Sequence, residues 1–485
     1  MLIDLNLASI TANVKQYDVC IAGAGPSGIT IARILAAQGK RVALLEGGGL
    51  EYSQQSQDLY EGKSIGLNYF DAVKSCRLRY LGGASNHWGG MCSFFEEADF
   101  KREMNGMPGW PISRDEVFKY FDAAKAVLDL PKDAFAHKKE LGFTNFTQFM
   151  FSLSPPTRFN SKYQKELKES KQIDLYINAS LTNVLLDNSL DHVNHLEITN
   201  GNLAKFKFSA TQYVLAMGAI ENARMLLAAN SQIKTGIGNA GGMVGRCFME
   251  HFNIGYGRFA IDNPTPWKGG IAIRSTTAFS SKANVGSGHL LFSPNETIID
   301  YGRTAALKHK LRQLVCKSET ATELTRKMME FDCDGDGLIT SIIEQSPNPN
   351  SRITLDTERD RFGIPRIILN WQYTQYDLNT IRTLGIEAAK EIAKLGYARV
   401  HLHEDILDKS MEVKNIGAHC HQMGTTRMSS TPKYGVVDEN SRVHGMKNLF
   451  VAGSSVYATG GPCNPTFTLT MLAHRLGDHL LTVTA

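Results

Sequence analysis

Long apolar runs are missing from these 485 residues, and none approaches the roughly eighteen that a membrane-spanning helix needs. Paired cysteines are missing as well. The 8 cysteines, from Cys20 to Cys463, are scattered with no CxxC and no zinc-like spacing, so they read as thiols in a reducing cytosol. The first residues, MLIDLNLASITANVKQYDV, show neither a basic nor an apolar leader region, and a cytoplasmic location is expected. An excess of one charge is absent too. Fifty-two Lys and Arg against 48 Asp and Glu leave +4, which asks for neither nucleic acid nor a membrane as partner. There is no repeat and no low-complexity tract. What remains is 42% hydrophobic and 21% charged, with 43 glycines and 15 prolines. This excludes disordered and collagen-like chains and leaves length for two or three domains.

The pattern along the chain is α/β. Tyr17–Ala22 is a short apolar, β-prone run that ends in glycines. A helical pattern through Ile29, Ala32, Ile34 and Leu35 follows, stopped by Gly39, and Arg41–Glu46 is a second buried-strand run. Strand, glycine turn, helix and strand within some thirty residues make a βαβ unit. Ser113 and Glu116 form a capping box that opens an amphipathic helix to Leu130. Thr211–Met217 reads as a buried strand followed by a helix over 220–230, Asp377–Leu395 as a strong amphipathic helix, and Leu449–Ala452 as a strand before a helix from Thr466. Dinucleotide-type features thus stand at both ends and in the middle, so one domain is expected to be assembled from separated segments.

Four motifs carry chemistry. In Gly23-Ala24-Gly25-Pro26-Ser27-Gly28, Gly23 permits the tight turn, Gly25 lets a pyrophosphate approach the backbone, and Gly28 lets helix and strand pack closely. Glu46, eighteen residues after Gly28 and at the end of the second strand, is placed to accept from ribose hydroxyls. Adenine dinucleotide binding is therefore expected. The second motif, LGGASNHWGG at Leu81–Gly90, suggests backbone pressed against a flat ligand or a glycine-rich loop around a satisfied histidine. The third spans His419 to Thr426 and the fourth Gly461 to Thr466. Zinc is excluded at His419, Cys420 and His421 because adjacent side chains diverge. A general base there needs a histidine of near-neutral pKa and a partner. Asn464 can be that partner, or it can cap the helix it precedes.

In this order, together with AMGAIENARMLL at 216–227 with its preceding Leu215, VGRCFMEH at Val244–His251, NPNSRITL at Asn348–Leu355 and NLFVAGSS at Asn448–Ser455, the chain resembles the glucose–methanol–choline (GMC) family of FAD-dependent oxidoreductases. The resemblance implies an α/β fold with an FAD-binding Rossmann-like domain assembled from residues 1–95, 168–252 and 430–485. A substrate domain with an antiparallel sheet would come from 96–167 and 253–429. Gly23, Gly25, Ser27, Gly28 and Glu46 would hold the ADP half of FAD, and Gly83, Ser85, Asn86 and Gly90 would line its flavin and pyrophosphate. Val184 would meet adenine through its backbone. Ala216 and Gly218 would pass beside the FAD, and Gly453, Ser454 and Thr466 would touch pyrophosphate and ring, although many relatives carry an acid where Gly453 stands. His421 matches the family's base and Asn464 its second active-site position. The His–Asn pair, and His87 before Trp88, point to the pyranose-oxidase-like branch, in which that histidine is bonded to the flavin. A covalent link through His87 is allowed here and not favoured.

The implied reaction is oxidation of an alcohol, by proton transfer to His421 and hydride transfer to flavin N5, with a sugar or glycoside hydroxyl preferred to an aromatic, aliphatic or secondary-metabolite alcohol. The electron acceptor would be O2 or another small molecule. A non-enzymatic protein with a degenerate FAD site is the rival from another class, and the intact fingerprint argues against it. Asp332 to Ile339 copies the first eight positions of a calcium loop, but the twelfth is Ile343, with Glu344 one place late, so an acidic turn before a strand is expected and no metal is assigned. Arg303–Arg312 reads as a solvated helix face, and Cys420 and Cys463 as small packing residues.

Overall fold

The computed structural model describes residues 1–7, 16–69, 72–136, 140–262, 270–294 and 337–484. The acidic turn at Asp332–Asp336 and the charged stretch Arg303–Arg312 lie outside them. The βαβ unit forms as the apolar pattern predicts, with a strand at Tyr17–Ala22, a helix at Pro26–Ala37 and a strand at Val42–Leu45. Val19, Cys20, Ile21 and Val42 to Leu44 are fully buried. Strands covered on both faces carry such unbroken apolar runs.

These strands sit inside a six-stranded sheet whose order is Leu2–Asp4, Ile173–Ile177, Val42–Leu45, Tyr17–Ala22, Ala210–Leu215, Leu449–Val451. Every neighbouring pair is parallel. The sheet is thus collected from segments more than 400 residues apart in sequence, Leu2 to Leu449. Helix Pro26–Ala37 packs on the last helix, Pro465–Val483, where Gly477 lies against the Ile34 side chain.

A second, antiparallel sheet of eight strands includes Gly257–Ile261, Ile271–Ser275, Gly288–Pro294, Gly337–Glu344 and Ala398–Leu402. At its edge, His251–Asn253 pairs with Gly337–Glu344 on one side and Gly417–Ala418 on the other. The strand expected after the acidic turn is Gly337–Glu344, and Glu344 is engaged by Arg102 and by the Gly461 amide. The amphipathic helix of 377–395 runs from Gln375 to Lys394, opened by a Thr374–Asp377 capping box. The helix expected from Ser113 to Leu130 is two, Arg114–Phe118 and Phe121–Val127. The break falls at Tyr120, whose backbone leaves the helical region while its ring stacks on His474 and its hydroxyl donates to Asp478. Tertiary contacts with the last helix override the local periodicity there.

Candidate functional site

The parallel strands end on a cavity of about 710 Å³. Its wall includes Ala22, Gly23, Leu45, Glu46, Ala216 and Gly453, the residues at or just beyond four strand ends. Ligands of open parallel sheets bind at this carboxyl edge. Gly23 takes φ +108°, and a Cβ on it would lie 2.5 Å from the Ala216 carbonyl oxygen. At Gly28 a Cβ would lie 1.9 Å from the Gly23 carbonyl oxygen. Turn and helix therefore press on each other and tolerate no side chain at either position.

Gly25 differs. A Cβ there meets no protein atom within 4 Å, and Gly25 lines the cavity. The helix it precedes has no side-chain cap and no acidic residue in its first turn, so its end amides are left for a ligand. Such a cradle fits the phosphates of a dinucleotide. Gly25→Ala is expected to keep the melting temperature of the apoprotein within experimental error and weaken flavin retention. Gly28→Ala should cost about 1–3 kcal/mol or more of stability. Thermal melts beside flavin absorbance after desalting check both, and equal melts would remove the distinction.

Of the residues expected at the cofactor, Gly23, Gly25, Ser27, Glu46, Gly83, Ser85, His87, Gly90, Ala216, Gly218, Gly453, Ser454 and Thr466 line this one cavity, as do His421 and Asn464. Three do not. Gly28 packs behind the turn. Asn86 donates its amide to the Leu81 carbonyl and holds the glycine loop from within. Val184 faces Leu196 in the strand ladder, and the wall is reached by Ala179, Ser180 and Leu181, at the start of that strand. The Glu46 carboxylate accepts from the amides of Ala24 and Gly48, at 3.2 and 2.9 Å, tying the two βα turns together. Burial raises its pKa against those bonds and the nearby Arg79.

On the wall of the same cavity, Asn464 Nδ2 lies 3.1 Å from His421 Nε2. Asn464 stands at the N-cap position of helix Pro465–Val483, yet its side chain makes no capping bond. Its Oδ1 has no protein partner. The amide thus belongs to the histidine and the cavity rather than to the helix end. Burial, and then the nearby His251, His419 and His289, hold His421 well below the usual histidine pKa. A neutral imidazole beside an amide donor, facing a cavity, can take a proton.

Sequence reasoning missed the groups that hold His421. Glu250 Oε1 accepts from the His421 and His251 amides at 2.5 and 3.0 Å, and Oε2 accepts from the Tyr69 hydroxyl at 2.6 Å. Burial lifts its pKa to about 7 against those bonds. The His251 ring stands edge-on to that of His421, with 2.8 Å between the two Nδ1 atoms. His251 closes the VGRCFMEH motif, but nothing local to it tells that it meets a residue 170 positions away. A correction falls on the cysteines: Cys76 and Cys420 are joined in a disulfide. Cys420 is thus a crosslink between the cavity's 75–79 wall and the His421 segment rather than a packing thiol. Cys463 is buried as expected, against Ser93.

A parallel sheet gathered from distant segments, a glycine cradle at its carboxyl edge and a histidine–asparagine pair share one cavity. Residues 347–473 match the family model described as GMC oxidoreductase. The chain is 23% identical to 2-methyl-1,2-propanediol dehydrogenase of Mycolicibacterium austroafricanum, over 97% of this chain and 96% of that protein. It is 27% identical to the fructose dehydrogenase large subunit of Gluconobacter japonicus, over 56% of this chain and 47% of that one. A crystal structure of formate oxidase superposes with a TM-score of 0.58 at 16% identity, covering 98% of this chain and 99% of that one, and shares the fold. The chain is thus similar to GMC oxidoreductases, the family model covering residues 347–473. Among the described residues no helix is long and apolar enough to cross a membrane.

Proposed function

We propose that the protein oxidises an alcohol with FAD held in the cavity, His421 acting as the base and Asn464 orienting the substrate hydroxyl. The observation that carries this is the 3.1 Å contact between Asn464 Nδ2 and His421 Nε2 on a wall shared with the glycine cradle. FAD, when bound, supplies the hydride acceptor that no side chain can provide. Gly23, Gly25 and the first turn of helix Pro26–Ala37 would hold its phosphates, Ser180 and Leu181 the adenosine side, and Gly90, Ser454 and Thr466 the ring.

An alcohol carbon gives up hydride readily only as its O–H proton leaves. His421 Nε2 takes that proton, and the Asn464 amide turns from the imidazole to the hydroxyl without adding charge. Glu250, which accepts from the His421 backbone, fixes the imidazole's position. The division proposed for the chain is an FAD domain of 1–95, 168–252 and 430–485 and a substrate domain of 96–167 and 253–429, with His421 and Asn464 on either side of the boundary at 430.

The preferred substrate is a sugar or glycoside hydroxyl, on the His–Asn pair and the likeness to fructose dehydrogenase. The near full-length likeness to a diol dehydrogenase favours the second reading, a small aliphatic alcohol. Anaerobic titration of the yellow protein with D-fructose, methyl β-D-glucoside and 2-methyl-1,2-propanediol tests both. Bleaching by a sugar supports the first reading and bleaching by the diol alone the second. A flavin that none of them bleaches counts against both. Readmitting air and assaying peroxide identifies O2 or another small molecule as acceptor, and acid precipitation shows whether colour stays with the chain.

A further inference from the structure

We infer that His251 is a positioning residue that sets which nitrogen of His421 is free to act as a base. The inference rests on the reading of His421 as that base. His251 presents its two ring nitrogens to different partners. Nε2 faces the carbonyl oxygens of Gly461 at 2.6 Å and Gly460 at 3.3 Å, and Nδ1 faces His421 Nδ1 at 2.8 Å. A carbonyl oxygen can only accept, so Nε2 carries a hydrogen. Burial holds the pKa of His251 down to about 4, so near neutrality the ring carries one hydrogen and Nδ1 is a lone pair. That lone pair can only accept. His421 Nδ1 must therefore carry the hydrogen of its own ring, and Nε2 is left as the lone pair.

His421 Nε2 is the nitrogen that faces the Asn464 donor. Hydrogens thus run in one direction, from Asn464 to His421, from His421 to His251, and from His251 to Gly461. The reverse order would aim the His251 Nε2 lone pair at a carbonyl oxygen 2.6 Å away. The geometry that anchors the row is itself held. The Gly461 amide donates to Glu344 Oε1 at 2.8 Å, Arg102 pairs with the same carboxylate, and Glu344 is the strand partner of His251. One face of the antiparallel sheet thereby determines the tautomer of a residue on the loop beside it.

The consequence for proton transfer is direct. As the substrate O–H bond breaks, an N–H bond forms at His421 Nε2, and the Nδ1 hydrogen stays where it is. The resulting imidazolium donates through Nδ1 to the His251 lone pair, a charge-assisted bond in a buried site. Without His251, the His421 hydrogen is free to sit on Nε2, where it blocks the reaction. An imidazole held in the wrong tautomer costs catalysis up to about 10⁴-fold in enzymes that use a histidine base.

Two variants separate this role from packing. His251→Gln offers an amide oxygen to His421 Nδ1–H and an amide hydrogen to Gly461. His251→Phe keeps the ring and removes both. Holoenzyme labelled with ring-¹⁵N histidine reads the tautomers directly. The signal lost in His421→Ala should show its hydrogen on Nδ1 in the parent protein and in His251→Gln, and on Nε2 in His251→Phe. Bleaching of the flavin by D-fructose, methyl β-D-glucoside or 2-methyl-1,2-propanediol, whichever reduces the parent, should slow by about 10² or more in His251→Phe and stay within about tenfold in His251→Gln. A parent His421 with its hydrogen on Nε2 overturns the inference, as does an equal loss in the two variants. If no probe bleaches the parent, the alcohol-oxidation reading fails while the nitrogen spectra still decide the tautomer. If His251→Phe does not fold, the parent and His251→Gln spectra decide alone.

Discussion

His421→Ala is expected to lower the rate of flavin bleaching by substrate about 10²–10⁴-fold while the purified protein stays yellow. Nothing in the glycine cradle leans on the imidazole: Gly23 and Gly28 are held by backbone contacts to Ala216 and to each other. The substitution removes the acceptor for Asn464 Nδ2 and the partner of His251 Nδ1, but the Glu250 carboxylate keeps its bond to the residue 421 amide, so the loop stays in place. The loss should therefore fall on the rate of bleaching at saturating substrate, with flavin content near that of the parent. A rescue by added imidazole would agree with a missing base. Loss of flavin, with unchanged bleaching in whatever holoenzyme remained, would reassign His421 from chemistry to cofactor binding.

Much of the sheet was legible because strands buried on both faces are written as unbroken apolar runs. Tyr17–Ala22, Val42–Leu45, Ala210–Leu215 and Leu449–Val451 were all found within a few residues. The Asn464 side chain, by contrast, had two equal readings in sequence. A residue before a helix is a good cap whatever it faces, and only the position of His421, 43 residues back, decides that the amide turns away from the helix end. Val184 stands off the cavity for a related reason: which end of its strand meets the wall depends on the turn after Glu46, where Ala179 bonds back to the Glu46 carbonyl.

The Cys76–Cys420 bond and the His251–His421 contact were out of reach for a common reason. Both bring together residues far apart in sequence, 344 and 170 positions. Scattered cysteines give no spacing signal, and a histidine at the end of an apolar motif looks like any satisfied core histidine. What a single motif could not say is said by register. His251–Asn253 pairs with Gly417–Ala418, so the residue at one end of one strand must lie beside the loop that leaves the other.

The same gathering of histidines makes the fold sensitive to acid. His251 and His289 are buried as neutral rings, with pKa values pulled by burial from 6.5 to about 4 and about 3, and His419 and His421 are lowered as well. An unfolded chain takes up protons on these imidazoles below about pH 6.5, whereas the folded one does not until far lower, so their contribution to stability is lost as pH falls. Glu250 acts in the opposite sense. Its folded pKa of about 7 against 4.5 means that the folded carboxyl keeps its proton longer, and stability from it declines as pH rises from 4.5 to 7. Between 4.5 and 6.5 one carboxyl opposes four imidazoles, so the histidines prevail and stability falls as pH drops. The melting temperature is therefore expected to fall from pH 6.5 downward, through the window set by the lowered histidines. At about 1.4 kcal/mol per unit, the His289 shift alone is worth on the order of several kcal/mol. His289 donates through Nδ1 to the Pro462 carbonyl at 2.7 Å and stacks on Phe149, while its Nε2 has no partner. His289→Gln retains a donor for that carbonyl and removes the titration, so its acid midpoint should move to lower pH even if its melting temperature at pH 7 is reduced. Melts of the parent and variant from pH 3 to 7 measure this, and an unchanged acid midpoint would show that His289 does not carry the acid sensitivity.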